Sequence, residues 1–309
     1  RSAGGADPAQ HHTQAAASTS MASPMRASVG VRADASSQRV LVTGAGGKTG
    51  KLLFKKLAKE EGFEVRGLVR SDKSAASLRD AGGEVVLGDV TSADSLAAAL
   101  EGCDAMCIAT SAVPKIKPLS IVVALVSKVL PWMEAKRPQF TFAEGGLPEE
   151  VDYVGQVNQI DAAKKAGVKH VVLCSSMGGT QIDNFLNTIG DANILLWKRK
   201  AEMHLVASGM TYTVVHPGGL KDDAGGEREL LTNINDELLK LDRSSRSIPR
   251  ADVAEVMLQA LKNPDAAGNL SFDLSSQEGA PVKDWGSFWS AVPKGYDYTL
   301  PKDSPVPLP

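Results

Sequence analysis

The sequence predicts an α/β fold, a parallel sheet with helices on both faces, and three observations carry that prediction. From residue 39 onward, short β-branched runs alternate with single helix-period patterns. A glycine-rich turn sits directly between the first such run and the first helix pattern. The intervals also hold one helix per pair of strands, which is what a parallel crossover requires.

In order, Arg39 to Thr43 reads as the first strand, and the turn after it opens a helix through Leu52, Leu53, Leu57 and Ala58. Glu64 to Val69 follows a break at Gly62 as the second strand, Lys73 to Asp80 is the next helix, and Glu84 to Leu87 the third strand. A helix at Ala93 to Leu100 and a strand at Ala105 to Ala109 complete the first half. Pro114, Pro118, Pro131, Pro138 and Pro148 then interrupt every helix pattern, marking residues 114–150 as an insertion over the sheet's edge. Its apolar stretch Leu119 to Leu130 is too short to span a bilayer. It reads as a partly buried helix beside a cleft, with an interfacial or lid helix as the alternative. The insertion is expected to roof the far, reacting side of the site described below.

The rhythm resumes with a helix at Val151 to Ala166, a strand at His170 to Cys174, a polar loop to Asn193, a helix at Ile194 to Ala207 and a strand at Thr211 to Val215. Asp252 to Leu261 is a further helix, Asn269 to Leu274 a late strand, and Trp285 to Trp289 lies on a short terminal helix. The result is one Rossmann-like domain over residues 39–295, with a small C-terminal substrate lobe from about residue 217. Residues 296–309, ending in four prolines within nine residues, are expected to be disordered.

Composition narrows the function. The 309 residues carry 34 Lys and Arg against 36 Asp and Glu, and a net charge of −2 gives no footprint for nucleic acid. Cys103, Cys107 and Cys174 lack both disulfide-framework and metal-ligand spacing, so no metal is expected. No run is apolar enough for a transmembrane helix, and monomer or homodimer is left open. Residues 1–38 hold ten Ala, seven Ser and three Arg but no Glu, a transit-like composition that points to the chloroplast stroma, with the cytoplasm as alternative. A disordered tail or a translated upstream fragment is the competing reading of that extension.

The glycine loop, Thr43-Gly-Ala-Gly-Gly-Lys-Thr-Gly50, carries the first chemistry. Gly44 permits a sharp turn, Gly47 lets backbone approach a pyrophosphate, and Gly50 lets the helix pack on the sheet, while the helix N-terminus with Thr49 offers N–H groups to the anion. A triphosphate-binding loop would need a glycine at position 42, which is Val. The second strand ends Leu68-Val69-Arg70-Ser71, so Arg70, Ser71 and Lys48 suit a ribose phosphate and favour NADP(H) over NAD. Asp72 competes with that assignment, and a solvated surface Arg70 is the alternative. Asp89, with Val90, is placed to accept from the adenine amine or else to cap the next helix. Thr110 and Ser111 end the fourth strand at the presumed crevice.

Further segments carry a resemblance. Thr43 to Gly50, Gly88-Asp-Val90, the pair Ser175-Ser176, Tyr212 to Gly219 and Ile248 to Ala254 resemble the extended and atypical short-chain dehydrogenase/reductases. Thr110 to Lys115, Gly155 to Gly167, Ser176 to Thr180 and Trp197 to Glu202 look like a plant subgroup, NmrA-like, that includes the sanguinarine reductases and chloroplast-associated members. The likeness covers about residues 39–290. It implies a bound NADP with nicotinamide near Pro217 and Gly218 and a small-molecule substrate. It also implies a catalytic Tyr and Lys four residues apart, helped by a Ser after the fifth strand. Aligned so, Lys198 takes the lysine slot and Ile194 the tyrosine slot, and the tyrosine is absent.

That departure has a chemical consequence. A carbonyl that receives hydride needs a proton for its developing alkoxide, and isoleucine supplies none. Acceptors such as an iminium or a quinone avoid a dedicated phenolic acid. Lys198 is expected at the nicotinamide ribose, Ser176 at the nicotinamide amide or substrate, and Ser175 at the cofactor or local backbone. Asp183 is the nearest alternative acid. His216 reads as a strand-end packing residue. An NADP-binding scaffold or redox-sensing protein without turnover stays open beside the reductase reading.

Overall fold

Residues 37–130, 132, 134, 136–299 and 301–307 are described by the structure, a computed structural model. The expected extension therefore lies outside the described residues as far as Ser36.

The first half runs β1 (Gln38–Thr43), α1 (Lys48–Leu57), β2 (Phe63–Val69), α2 (Asp72–Ala76), β3 (Glu84–Leu87), α3 (Ala93–Leu100) and β4 (Ala105–Ile108). The insertion holds β5 (Lys115–Ile116), α4 (Pro118–Val129) and β6 (Phe140–Thr141), and a π-helical turn at Glu149–Val154 leads into α5 (Gly155–Lys165). There follow β7 (His170–Cys174), α6 (Ile194–Ala207), β8 (Thr211–Pro217), β9 (Gly219–Lys221), β10 (Glu229–Asn233) and β11 (Ser247–Pro249). α7 (Arg250–Lys262), α8 (Pro264–Ala267), β12 (Leu270–Gln277) and α9 (Trp285–Ala291) complete the order.

The main sheet has the order β3-β2-β1-β4-β7-β8-β12-β11-β9, with β10 paired to β12. From β3 to β12 every neighbour is parallel. β12 then pairs antiparallel with β10 and β11, and β11 pairs parallel with β9. The sheet is thus mixed at one end. The residues after 217, expected as a substrate lobe, add β9, β10 and β11 to this sheet as an extension. Strands of three to five residues carry too little alternation to be read alone.

Side-chain alternation divides the core between the two faces. Val40 and Val42 of β1, Cys107 of β4, Val172 of β7 and Val215 of β8 pack with Leu53 and Phe54 of α1 and Met257 of α7. Leu41, Met106, Leu173 and Val214 point the other way, onto Leu96 of α3, Ile160 of α5 and Leu205 of α6. Caps fix where helices start: Ser71 accepts from Ser74 N, Ser92 from Ser95 N, and Asp284 from Gly286 N and Ser287 N.

Two expectations are corrected. The stretch expected as a partly buried helix, α4, exposes most of its aliphatic side chains, Leu119 by 77% and Leu125 by 61%. The described part of the segment expected to be disordered beyond residue 295 packs at several points: Val306 is 2% exposed, and Tyr298 Oη lies 2.8 Å from Ser271 Oγ. Two tyrosines bring aromatic area that the proline-rich composition masks.

Candidate functional site

A cleft of about 890 Å³ opens at the carboxyl ends of β1, β2, β3 and β4, where the strand order turns back on itself between β1 and β4. Its floor is the glycine loop. Gly44 has φ +67°, and a Cβ there would stand 2.5 Å from the carbonyl oxygen of Ala109. Only glycine lets the end of β1 pass so close to the end of β4. A Cβ on Gly50 would run into Gly44 O, so that glycine sets α1 down on the loop. Gly47 N donates to Gly44 O at 2.8 Å and serves as N-cap of α1 with no side-chain cap. The first-turn amides are thereby left for an anion. Thr49 lies in that first turn, partly buried, and is not among the residues that line the cleft.

Arg70, Ser71, Asp89, Val90, Thr110 and Ser111 line the cleft with Gly44 and Gly47. Arg70 is exposed. Asp89 Oδ1 accepts from Thr91 N at 2.9 Å and Thr91 Oγ1 at 2.8 Å. Burial works against its ionisation, but those hydrogen bonds and the Arg70 charge hold Asp89 below the usual carboxylate range. Thr110 is fixed from α5, with Gln159 Nε2 donating to its Oγ1 at 3.2 Å and Gln156 Nε2 to its carbonyl at 3.3 Å. Gln159 Oε1 in turn accepts from Thr43 Oγ1 at 2.6 Å. One glutamine therefore ties the ends of β1 and β4, the two strands that flank the crevice. Val113, Glu144 and Gly145 bring both ends of the insertion to the cleft.

Lys48 is placed differently from the expectation. It pairs with Asp222 at 2.5 Å, both side chains exposed, and lines a shallower neighbouring groove with Arg250. Asp222 also meets Arg250 at 2.5 Å, so a carboxylate on the β9 side draws Lys48 away from the cleft.

Among the described residues, the cleft lining includes none of Ser175, Ser176, Lys198, Pro217 and Gly218. Lys198 is 6% exposed and pairs at 2.7 Å with Asp152, itself fully buried on the π-helical turn. Asp152 Oδ2 also accepts from Ala112 N at 3.0 Å, joining Lys198 to the chain just after β4. Ser175 Oγ donates to Glu202 Oε1, and Ser176 Oγ to Met177 O at 3.0 Å. Met177 N donates to Pro217 O, and Gly218 N to Leu274 O. Asp183 is exposed, without the burial that an acid role asks of a carboxyl. Ile194 opens α6, partly buried, one turn before Lys198.

Sequence reasoning missed Asp152, Gln159 and the partners of His216. Nothing local marks Asp152: it sits in a stretch that reads as plain helix, and its partner is 46 positions away. His216 Nε2 donates to Glu202 Oε2, with Asp273 Oδ1 3.9 Å from its Nδ1. Its ring stacks on Tyr296 at 4.5 Å. Arg199, fully buried, lies under Tyr296 and Tyr298 and donates to Asp297 O. The three thiols are buried, and burial pushes Cys174 up to about 11, which removes it as a nucleophile near neutrality.

Comparison with known proteins agrees with this geometry. An NAD(P)H-binding family matches residues 44–264. An uncharacterised chloroplastic protein of Arabidopsis thaliana is 48% identical, over 86% of this chain and 80% of its own. Sanguinarine reductase of Eschscholzia californica is 46% identical, over 82% of this chain and 95% of its own. Among solved structures, the oxidoreductase YlbE of Lactococcus lactis superposes with a TM-score of 0.57 at 19% identity, covering 84% of this chain and all of that one. Other chloroplastic plant proteins match over most of the chain, and together these relatives support a chloroplast location. No helix among the described residues is long and apolar enough to cross a membrane. The glycine cradle that a Cβ would fill, the open α1 amides and the Arg70 corner fit NADP(H). The chain belongs to the NAD(P)H-binding family, as an atypical NAD(P)-binding oxidoreductase related to plant chloroplast proteins and to sanguinarine reductase.

Proposed function

We propose that the chain is an NADP(H)-dependent reductase that passes hydride to a small aromatic acceptor, iminium-like or quinone-like in preference to a simple carbonyl. The reduced nicotinamide, when bound, supplies the hydride. Gly44 and Gly47 would hold the pyrophosphate at the α1 N-terminus, Arg70 and Ser71 the ribose phosphate, and Asp89 and Val90 the adenine. Thr110 and Ser111 would lead to the nicotinamide half, bounded by Ser175, Lys198, Pro217 and Gly218.

The observation that carries the acceptor preference lies on α6. Lys198 is a buried, charge-paired cation, and the residue one turn earlier is Ile194. An iminium takes hydride at carbon and becomes a neutral amine with no proton required. A ketone becomes an alkoxide and needs an acid at hand. The 46% identity to a sanguinarine reductase supports the same direction.

A second reading, an NADP-binding scaffold without turnover, is favoured by one fact: Ser175 and Lys198 are engaged by Glu202 and Asp152. NADPH oxidation followed with a simple aldehyde, a quinone and an iminium salt separates the two. Turnover confined to the last two supports the reductase reading, and efficient aldehyde reduction removes the argument from Ile194. Tight NADPH binding with no turnover on any of them favours the scaffold. Unchanged rates in Asp183→Asn would remove Asp183 as a proton donor.

A further inference from the structure

α4 has its polarity reversed. On a surface helix of a globular protein the large aliphatic side chains face the core and the polar ones face water. Here, among the described side chains of the helix, Ala124 and Ser127 are the buried ones, at 5% and 3% exposure. Leu119, Ile121, Val122, Leu125 and Val126 face outward, from 41% to 77% exposed.

The polar face is consumed by the insertion's own return strand. Ser120 Oγ donates to Lys117 O at 2.6 Å and accepts from Gln139 N at 2.9 Å, while Ser127 Oγ accepts from Lys136 N at 2.8 Å. β5 and β6 pair antiparallel and clamp the two ends. The hairpin therefore presents the aliphatic face outward by construction. Beside it stands Trp132, 78% exposed.

Charge says what covers this face. Between Pro114 and Ala143 the sequence has five Lys or Arg and one acidic residue, in a chain whose net charge is −2. Lys115, Lys117, Lys136 and Arg137 are exposed. A twofold pairing of this patch with itself would set those cations against one another. Twelve residues reach only about 18 Å, short of the roughly 30 Å hydrocarbon layer, so the helix lies along an interface and does not cross it. An apolar face with an exposed tryptophan and a basic margin matches the boundary of an anionic bilayer.

We propose that α4 and the basic loop after it dock this protein peripherally on an anionic lipid surface. The proposal is independent of the reductase reading. Flotation of the full chain with vesicles of phosphatidylcholine alone, and of phosphatidylcholine and phosphatidylglycerol in equal parts, tests it. The chain should float with the anionic vesicles, less with the neutral ones, and less at high salt. Val122→Asp with Leu125→Asp should reduce flotation about tenfold or more, and Lys136→Glu with Arg137→Glu by about tenfold. NADPH affinity should stay unchanged in both variants, which reports that the domain is folded. Absence of flotation, or equal flotation of all three proteins, overturns the proposal. So does a wild-type dimer in sedimentation velocity that the Val122→Asp, Leu125→Asp variant dissolves, because a second copy would then be the occupant.

Discussion

Nε2 of His216 lies 2.9 Å from Oε2 of Glu202, and the two residues are 1% and 2% exposed. Burial alone would strip the charge from each. The carboxylate and its hydrogen bond instead hold His216 above the usual imidazole range, and the imidazolium holds Glu202 below the usual carboxylate range. Asp273 faces the other ring nitrogen, and burial pushes it up to about 7. A dry site thus gathers His216, Glu202 and Asp273 with the buried Arg199 and Asp236, and of these acids Asp273 is only partly ionised near neutrality.

Stability should therefore peak on the acid side of neutrality. The contribution of His216 is fully present below its ordinary 6.5 and is lost as pH rises through its higher folded value. That of Glu202 is present above its ordinary 4.5 and is lost as pH falls through its lower folded value. Asp273 keeps its proton longer when folded, so stability falls from about pH 4 to about 7 on its account. Asp273→Asn should flatten that fall and raise stability at pH 8 by about 1–3 kcal/mol. Thermal unfolding at pH 5 and pH 8 checks this, and an unchanged difference between the two pH values would count against it.

His216→Leu should cost about 3–5 kcal/mol, because it leaves the Glu202 charge buried without its partner. Denaturant unfolding measures the loss, and a near-neutral result would mean that Glu202 takes up a proton cheaply.

Arg70→Ala should weaken NADPH by about 1.5–3 kcal/mol, roughly ten- to a hundredfold, and leave NADH nearly unchanged. Calorimetric titration with both nucleotides decides. Equal affinities for NADH and NADPH in the unaltered protein would sink the assignment of Arg70 to the ribose phosphate.

Gly44→Ala should lower both nucleotide affinity and melting temperature, at a cost of about 1–3 kcal/mol in stability. The positive φ and the Ala109 carbonyl both oppose a Cβ. Gly145→Ala, also at positive φ but with nothing near the added carbon, should cost stability less and serves as the comparison.

The alternating strands and helices of the first half are legible because each depends on local periodicity, and the cleft is legible because the glycine loop and the strand ends mark it in sequence. β9, β10 and β11 are not. β10 and β11 pair with β12, which lies 21 or more positions further on, and β9 in turn pairs with β11. The apolar character of α4 can be read, but its direction cannot. Periodicity gives a face, and here only the hydrogen bonds of Ser120 and Ser127 to the return strand show that the small polar side is the inner one. Proximity in sequence points Lys48 at the ribose, and Asp222, 174 positions away, holds it elsewhere.

The stacking of Tyr296 on His216 gives the segment after α9 an electrostatic role. Tyr296 and Tyr298 follow every strand of the sheet, yet they cover Arg199 and the His216–Glu202 pair, whose residues come from α6 and β8. The dryness of the Glu202–His216 pair thus depends on the same late segment that supplies Trp289 and Val292 to the hydrophobic core, so one stretch of chain completes both the apolar core and the burial of the charge pair.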